Sequence, residues 1–358
     1  MKRTVIFFFC LTTRIGIYMF NILALIFSLF LSSFAFAISE VDYSNQYAQK
    51  VLPLLKKYNH GKFLGEKDIS IHFASYTSNE ESKRCIVILP GRTEPVEKYA
   101  ELIYDLDQSE FKGEFTYYLM DHRGQGSSGR MISKKPIDLE KGHIDRFENY
   151  AKDVKTFMDL IVARKNCLDT TLIAHSLGAG IGTDFLQKYP EYFDRAVLTS
   201  PMLKIQTKPY KYILAKSIVV ANILIGGAKK FTIGASGYSG VRDFEGNTFT
   251  SSPERYEMAM SMFDLIPEAR LGGVTNNWVN QVMKGTRKMR KNYDLIKIPL
   301  TVIHAGLESY SEESEMIRLC DEAMDCQRLY LETSKHEVLM DRDINRNQAI
   351  DLIKSRLL

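Results

Sequence analysis

The sequence predicts an α/β protein: a mostly parallel sheet covered by helices on both faces, interrupted by an inserted helical cap. Three observations predict it. Runs such as "CIVILP", "FTYYLM" and "PLTVIHA" are apolar without alternation, as strands buried on both faces are. Segments of helical period alternate with them along the chain, the pattern of a parallel sheet. Between Pro201 and Pro299 that rhythm stops for almost a hundred residues, too long for a structureless loop inside a compact domain.

The elements follow in chain order. Lys2 and Arg3 precede an apolar run that closes on Ala35-Phe36-Ala37, a small-x-small cleavage pattern. Arg14 interrupts the run, and counting from Met19 gives a signal of more usual length. Residues 1–37 are expected to be a signal peptide; the alternative is an uncleaved membrane anchor, since Ile15 to Ala37 is long enough to span. The protein is accordingly expected to be exported, to a periplasm or beyond, with or without membrane association. The first part of the core covers 38–201. It opens on a helical lead-in, Tyr47 to Tyr58, and "KDISIHFASYT", which alternates like a strand of an edge hairpin. "CIVILPGRTEP" is a buried strand running into a loop, "VEKYAELIYDL" a helix, "FTYYLMD" a strand and "HRGQGSSGR" a glycine-rich loop. A helix from about Phe147 to Ala163 leads to "TLIAHSLGAG", a strand turning into a helix that ends before Pro190; "RAVLTSP" is the next strand.

Residues 202–271 form the expected cap, with "YKYILAKSIVVANILIGGAKK" apolar nearly all round and "SPERYEMAMSMF" helical. The second part of the core, 272–358, starts with "GGVTNNWVNQVMKGTRKMRK", a core helix carrying Trp278. Two strands, "IPLTVIHAG" and "QRLYLETSKH", follow around a helix, and "RNQAIDLIKSRL" closes the chain as an amphipathic helix.

The formal net charge of +4 loses the three cations of residues 1–37 on cleavage, so overall basicity gives no reason to expect nucleic acid as a partner. Local charge says more. Lys204, Lys208, Lys211, Lys216, Lys229 and Lys230 lie between Met202 and Gly240 with no acid among them. Such a run is a solvated face or a contact for an anionic membrane surface. Cys10 leaves with the signal; Cys85, Cys167, Cys320 and Cys326 remain, an even number that permits disulfides. C-x-x-C and H-E-x-x-H are both absent from the sequence, so no metal and no cofactor are expected.

In a parallel sheet the reactive residues gather at the carboxyl ends of the strands. Ser176 follows one strand, Gly91 and Arg92 another, Glu308 lies just past "TVIHAG" and His336 just past "LYLETSK". Ser176 sits where a strand turns sharply into a helix, the setting of a nucleophile elbow, with Ala174 in place of the usual first Gly. A serine at its free pKa needs an imidazole to take its proton, and the imidazole needs a carboxylate to fix its tautomer. The developing oxyanion needs backbone N–H donors, here those of Arg92 and Leu177, each worth about 10²–10³ in rate. His122, His143 and His175 are read as structural, bonding loops near the site.

"PGRTEPVEKYAEL", "DHRGQGSSGR", "GHIDRFENYAKDV", "AHSLGAG", "SPML" and "SKHEVLMDRD" together resemble the lysophospholipase and monoacylglycerol-lipase branch of the α/β-hydrolases. The bacterial lysophospholipases are the nearest part of that branch, and they also tolerate Ala before the His-Ser pair. The resemblance runs from about Lys83 to the C-terminus. It implies an eight-stranded α/β-hydrolase sheet, Ser176 as nucleophile, His336 as base, and Arg92 and Leu177 as oxyanion donors. Glu308 stands where the wider family commonly has Asp, with Glu312 as a rival; Pro90-Gly91 stands for the usual His-Gly. The implied substrate is a single-chain lipid ester, lysophospholipid or monoacylglycerol. A general carboxylesterase or an acyltransferase would use the same triad, and an inactive membrane-associated binding protein is the remaining alternative. His336 and Asp341 also spell H-x-x-x-x-D, an acyltransferase-like spacing carried by two residues alone. The fold places the strands entered from Cys85 and Cys167 side by side, so these two are expected to pair; Cys320 and Cys326, six apart across a turn, form the second expected pair.

Overall fold

A computed structural model describes residues 37–358; the expected signal segment lies, apart from Ala37, outside the described residues. The unit Ser39–Leu358 is built around eight strands. They are β1 (Asn59–Leu64), β2 (Ser70–Thr77), β3 (Arg84–Leu89), β4 (Phe115–Met120), β5 (Asp169–His175), β6 (Arg195–Thr199), β7 (Leu300–Ala305) and β8 (Cys326–Leu331). They form one sheet in the order β1-β2-β4-β3-β5-β6-β7-β8. β2 runs antiparallel to β1 and β4, and the remaining pairs are parallel. This is the α/β-hydrolase sheet that the sequence leads one to expect.

The apolar runs take the middle of the sheet. Every residue of β4 and β7 is buried, as is all of β3 and β5 beyond the first residue. Helices α1 (Ala100–Asp107), α2 (Glu148–Leu160), α3 (Ser176–Lys188), α7 (Glu313–Glu322) and α8 (Asp343–Leu357) follow their strands. Between β6 and β7 lie α4 (Tyr212–Asn222), α5 (Pro253–Leu265) and α6 (Asn276–Met289). Thr275 caps α6 by accepting from the Trp278 N–H, and Trp278, Val282 and Met283 are buried in the core cluster with residues of α2 and α3. The β1 strand, "NHGKFL", has no apolar run to announce it; it exists because β2 offers it an edge.

The cap segment departs from a simple reading of its composition. In α4 only Val219 is fully buried, while Ile213, Leu214, Leu224 and Ile225 on and after it are exposed. The apolar excess is therefore divided: Ala215, Ile218 and Val219 face a cavity, and the others face solvent. Among the described residues no helix is long and apolar enough to cross a membrane.

Both cysteine pairs are bonded. Cys85 at the start of β3 joins Cys167 just before β5, with Cα atoms 5.8 Å apart, and Cys320 in α7 joins Cys326 at the start of β8, 5.1 Å apart. The two bonds constrain the unfolded chain unequally, since they close loops of 82 and 6 residues. Replacing Cys85 and Cys167 together by Ala is expected to lower unfolding stability by about 4 kcal/mol, and replacing Cys320 and Cys326 by about 2 kcal/mol. Urea unfolding of the two double variants checks the ranking, and a larger loss from the second pair would reverse it.

Candidate active site

Ser176 is the first residue of α3 and has φ +50°, in the left-handed region a non-glycine residue seldom adopts. That kink turns its side chain away from the helix and out over the carboxyl end of the sheet. The following glycines make the turn possible. A Cβ on Gly178 would lie 2.1 Å from the Leu89 carbonyl oxygen and 2.4 Å from that of Pro90, so only glycine lets α3 approach the end of β3. Leu177 is the second residue of α3, where an N–H has no partner within the helix.

The structure brings Ser176, His336 and Glu308 together from the carboxyl ends of β5, β8 and β7. Ser176 Oγ is 2.8 Å from His336 Nε2, and His336 Nδ1 is 2.6 Å from Glu308 Oε2. The other Glu308 oxygen accepts from the N–H groups of Tyr310 (2.6 Å) and Ser311 (3.2 Å). Burial works to raise the Glu308 pKa, but the hydrogen bond and charge of His336, with those two N–H donors, hold it below the ordinary carboxylate value. Ser200 fixes the His336 loop by donating to the His336 carbonyl at 2.7 Å. The imidazole lies between the rings of His175 and Tyr310, at centroid distances of 5.0 and 4.7 Å. The arrangement is competent for one chemistry in particular: the imidazole can take the serine proton while the carboxylate orients it.

Glu312 is not part of this cluster. Its N–H donates to the Lys204 carbonyl at the mouth of α7, and the acid paired with His336 is Glu308. Asp341 is engaged elsewhere: its oxygens accept from the N–H groups of Ser251, Lys335 and Arg342, binding the cap to the His336 loop. The three other histidines singled out from sequence bond loops, His122 to the Pro90 carbonyl, His143 to Thr275 Oγ1 and His175 to Thr199 Oγ1. Burial lowers the pKa of both His122 and His175 to about 4, so both are neutral at pH 7.

Gly91 and Arg92, in the loop after β3, line the same cavity as Ser176. The loop is held from behind by Glu94, whose Oε2 accepts from the Gly91 N–H at 2.5 Å, and by Gln125, which donates to the Gly91 carbonyl at 2.7 Å. Glu94 is buried, and sequence reasoning missed it. Burial opposes its ionisation, yet the Lys98 ammonium, with hydrogen bonds from Lys98 and Tyr99, holds it well below the carboxylate range. Lys98 also meets Glu337, the neighbour of His336, at 2.6 Å. One buried ammonium therefore joins the loop after β3 to the loop of His336. Nothing in the string "RTEPVEKY" marks these charges as buried; the available signal is only that Glu94 and Lys98 are four apart.

Above these loops is a cavity of about 710 Å³. Ile218, Val219, Phe263, Leu271, Val274 and Trp278 supply its apolar walls, with Ser176 and His336 at its floor. The Arg92 side chain also lines it. Its guanidinium bonds the Gly272 carbonyl and lies 5.8 Å from the Trp278 ring centroid. Its Nε is buried with no hydrogen-bond partner, and no carboxylate pairs with it, among the described residues. Burial lowers its pKa to about 10, leaving it a cation at neutral pH.

The chain is similar to known proteins over most of its length. A family model described as serine aminopeptidase, S33 (Hydrolase_4) matches residues 80–343. The chain is 28% identical over 305 residues to the lysophospholipase L2 of Escherichia coli strain K12, covering 83% of this chain and 87% of that protein. It is likewise 28% identical over 308 residues to a probable lysophospholipase L2 of Haemophilus influenzae, covering 85% and 94%. A soluble variant of the Saccharomyces cerevisiae monoglyceride lipase, solved with a substrate analogue, superposes with a TM-score of 0.62 at 13% identity, over 83% of this chain and 94% of that one.

Proposed function

Since the chain belongs to the serine aminopeptidase S33 (Hydrolase_4) family of hydrolases, we propose that it releases a fatty acid from lysophospholipid, or from monoacylglycerol, through an acyl-enzyme on Ser176. It is a carboxylic ester hydrolase of the lysophospholipase and monoacylglycerol-lipase type. The observation that carries the substrate reading is the apolar cavity placed directly over the Ser176–His336 hydrogen bond.

In this mechanism His336 Nε2 takes the Ser176 proton as Oγ attacks the ester carbonyl. The oxyanion is met by the N–H groups of Leu177 and Arg92, and Glu308 stabilises the imidazolium. His336 then protonates the departing glyceryl oxygen, leaving the acyl group on Ser176. Water, deprotonated by His336, hydrolyses that ester and restores the serine.

The acyl chain occupies the cavity beneath α4 and α5, where each buried CH₂ contributes ~0.8 kcal/mol. The uncompensated Arg92 guanidinium favours a phosphate-bearing head group, to which a charge-assisted hydrogen bond contributes about 1.5–3 kcal/mol. The enzyme also approaches an anionic lipid surface: Lys216, Lys284, Arg287, Lys288 and Lys291 gather where α4 meets α6, and Ile213 and Leu214 of α4 are exposed. The two disulfides support export to an oxidising compartment.

A substrate panel tests the reading. Specificity constants for long-chain lysophospholipid, monoacylglycerol, diacyl phospholipid and a two-carbon ester are measured below and above the micellar transition. The long one-chain lipids are expected to exceed the two-carbon ester by several orders of magnitude, and Arg92→Gln to reduce kcat/KM about 10–100-fold more for lysophospholipid than for monoacylglycerol. A two-carbon ester turned over best would replace the reading with a general carboxylesterase. Equal losses on both lipids would remove the head-group role of Arg92.

A further inference from the structure

Away from the cavity, at the edge of the sheet, three side chains from separate segments converge. His60 lies on β1 and His72 on β2, in antiparallel register with Ala74 and Lys62 respectively, so the two imidazoles are diagonal neighbours on one face. Glu97 comes from the turn Val96–Tyr99, directly behind the loop that holds Gly91 and Arg92. One nitrogen from each histidine and a Glu97 oxygen all lie within 4.8 Å of one another. From this geometry we infer that His60, His72 and Glu97 form a site for one divalent transition-metal ion, with Zn²⁺ the best match to two imidazoles and a carboxylate.

The spacing suits that ion. His60 Nδ1 is 3.1 Å from His72 Nε2, with the rings stacked at 12°. Two nitrogens bound to one zinc at about 2.0–2.1 Å with tetrahedral angles stand about 3.3 Å apart. Glu97 Oε1 is 4.0 Å from His60 Nδ1, so a modest turn of the carboxylate completes the third bond. The other His72 nitrogen, Nδ1, lies 2.8 Å from Asp121 Oδ2. A carboxylate behind a histidine in this way keeps the proton on the far nitrogen and aims the Nε2 lone pair at the metal. Asp121 is itself held by the N–H groups of Val96 and Ser127, so its orientation is fixed by two further segments.

A second observation points to a cation. Glu97 Oε2 is buried with no hydrogen-bond partner among the described residues. The hydroxyls of Tyr47 and Tyr58 are buried without partners in the same way. A buried carboxylate oxygen without a donor is costly, and a bound cation supplies what it lacks. His60 is partly exposed, so an ion can reach the cluster from solvent and keep water as its fourth ligand. Once bound, the ion ties the edge hairpin to the turn behind the Gly91–Arg92 loop.

The test uses the full folded protein, freed of metal by a chelator and titrated with Zn²⁺ alone, then with Co²⁺ for its visible spectrum. One ion is expected to bind per chain, raise the Tm, and give the intense absorption of a four- or five-coordinate Co²⁺ site. His72 is buried against Asp121, so its replacement risks the fold; the exposed His60 carries the test instead. His60→Gln and, separately, Glu97→Gln are expected to weaken Zn²⁺ binding at least ~100-fold and to lose the Tm rise. Failure of the unaltered protein to bind Zn²⁺ overturns the assignment. So does binding that both variants retain, which would place the ion elsewhere, for example at His336 and Glu308.

Discussion

Ser176→Ala is expected to fold normally and to lose about 10⁴–10⁶-fold in kcat on any ester the enzyme accepts. The fold should survive because the bond that the hydroxyl makes is the one to His336. The φ of +50° at this residue is imposed by β5 and α3 around it and by the glycines that follow, and Ala adopts it no less readily than Ser. The loss should be severe because no other hydroxyl stands 2.8 Å from His336 Nε2 among the described residues. What remains is the rate supplied by binding and by the N–H donors of Arg92 and Leu177. His336→Ala should be as damaging, and the double variant no worse than either single one, since the pair acts as a unit. Single-turnover kinetics, with thermal unfolding and fluorophosphonate labelling as controls, decide the matter. A labelled or active Ser176→Ala protein of native Tm would mean that another residue is the nucleophile.

Glu308→Gln should cost about 10⁴-fold in kcat, while Glu312→Gln should leave turnover nearly unchanged. Glu308 uses both oxygens: one accepts from the N–H groups of Tyr310 and Ser311, the other meets His336 Nδ1 at 2.6 Å. A glutamine must turn its carbonyl toward the two N–H donors, which leaves its NH₂ facing His336. Two donors cannot share that contact, so the imidazole moves its proton to Nε2. The nitrogen facing Ser176 then has no lone pair with which to take the serine proton. Glu312 meets none of these groups. Parallel kcat measurements on the two variants, at a pH where the unaltered enzyme is fully active, check the ranking; its reversal would move the acid four residues along the loop.

The strands, the elbow and the chain order of Ser176, Glu308 and His336 are legible in the sequence. Each is written locally: β3, β4 and β7 as unbroken apolar runs, the elbow as a serine between a buried strand and a glycine-containing helix start. Gly178 is informative because its Cβ would strike the chain at Leu89 and Pro90, and only a close approach makes such a glycine necessary. The long segment between β6 and β7 is legible as an interruption but not as a surface. A helix apolar on all sides carries no period, so α4 alone does not say that Ile218 and Val219 face the cavity while Ile213 faces solvent.

Other features exist only through space. The choice of Glu308 over Glu312 depends on how the loop after β7 turns the N–H groups of Tyr310 and Ser311 onto Glu308. Arg92 is expected from sequence for its N–H; that its guanidinium lies along the cavity wall, bonded to the Gly272 carbonyl and near Trp278 with no carboxylate beside it among the described residues, depends on segments about 180 residues away. Glu94, Lys98 and Glu337 read as ordinary surface charges and become a buried link between two loops of the site. His60, His72 and Glu97 match no metal motif, since their spacing is set by strand pairing and a turn. The physical reason is common to all of them. Periodicity and residue type record which face of a segment avoids water, and that preference is local. Which distant charges meet, and with what partners, is settled only when the strands take their places and burial removes the water that would otherwise solvate each ion.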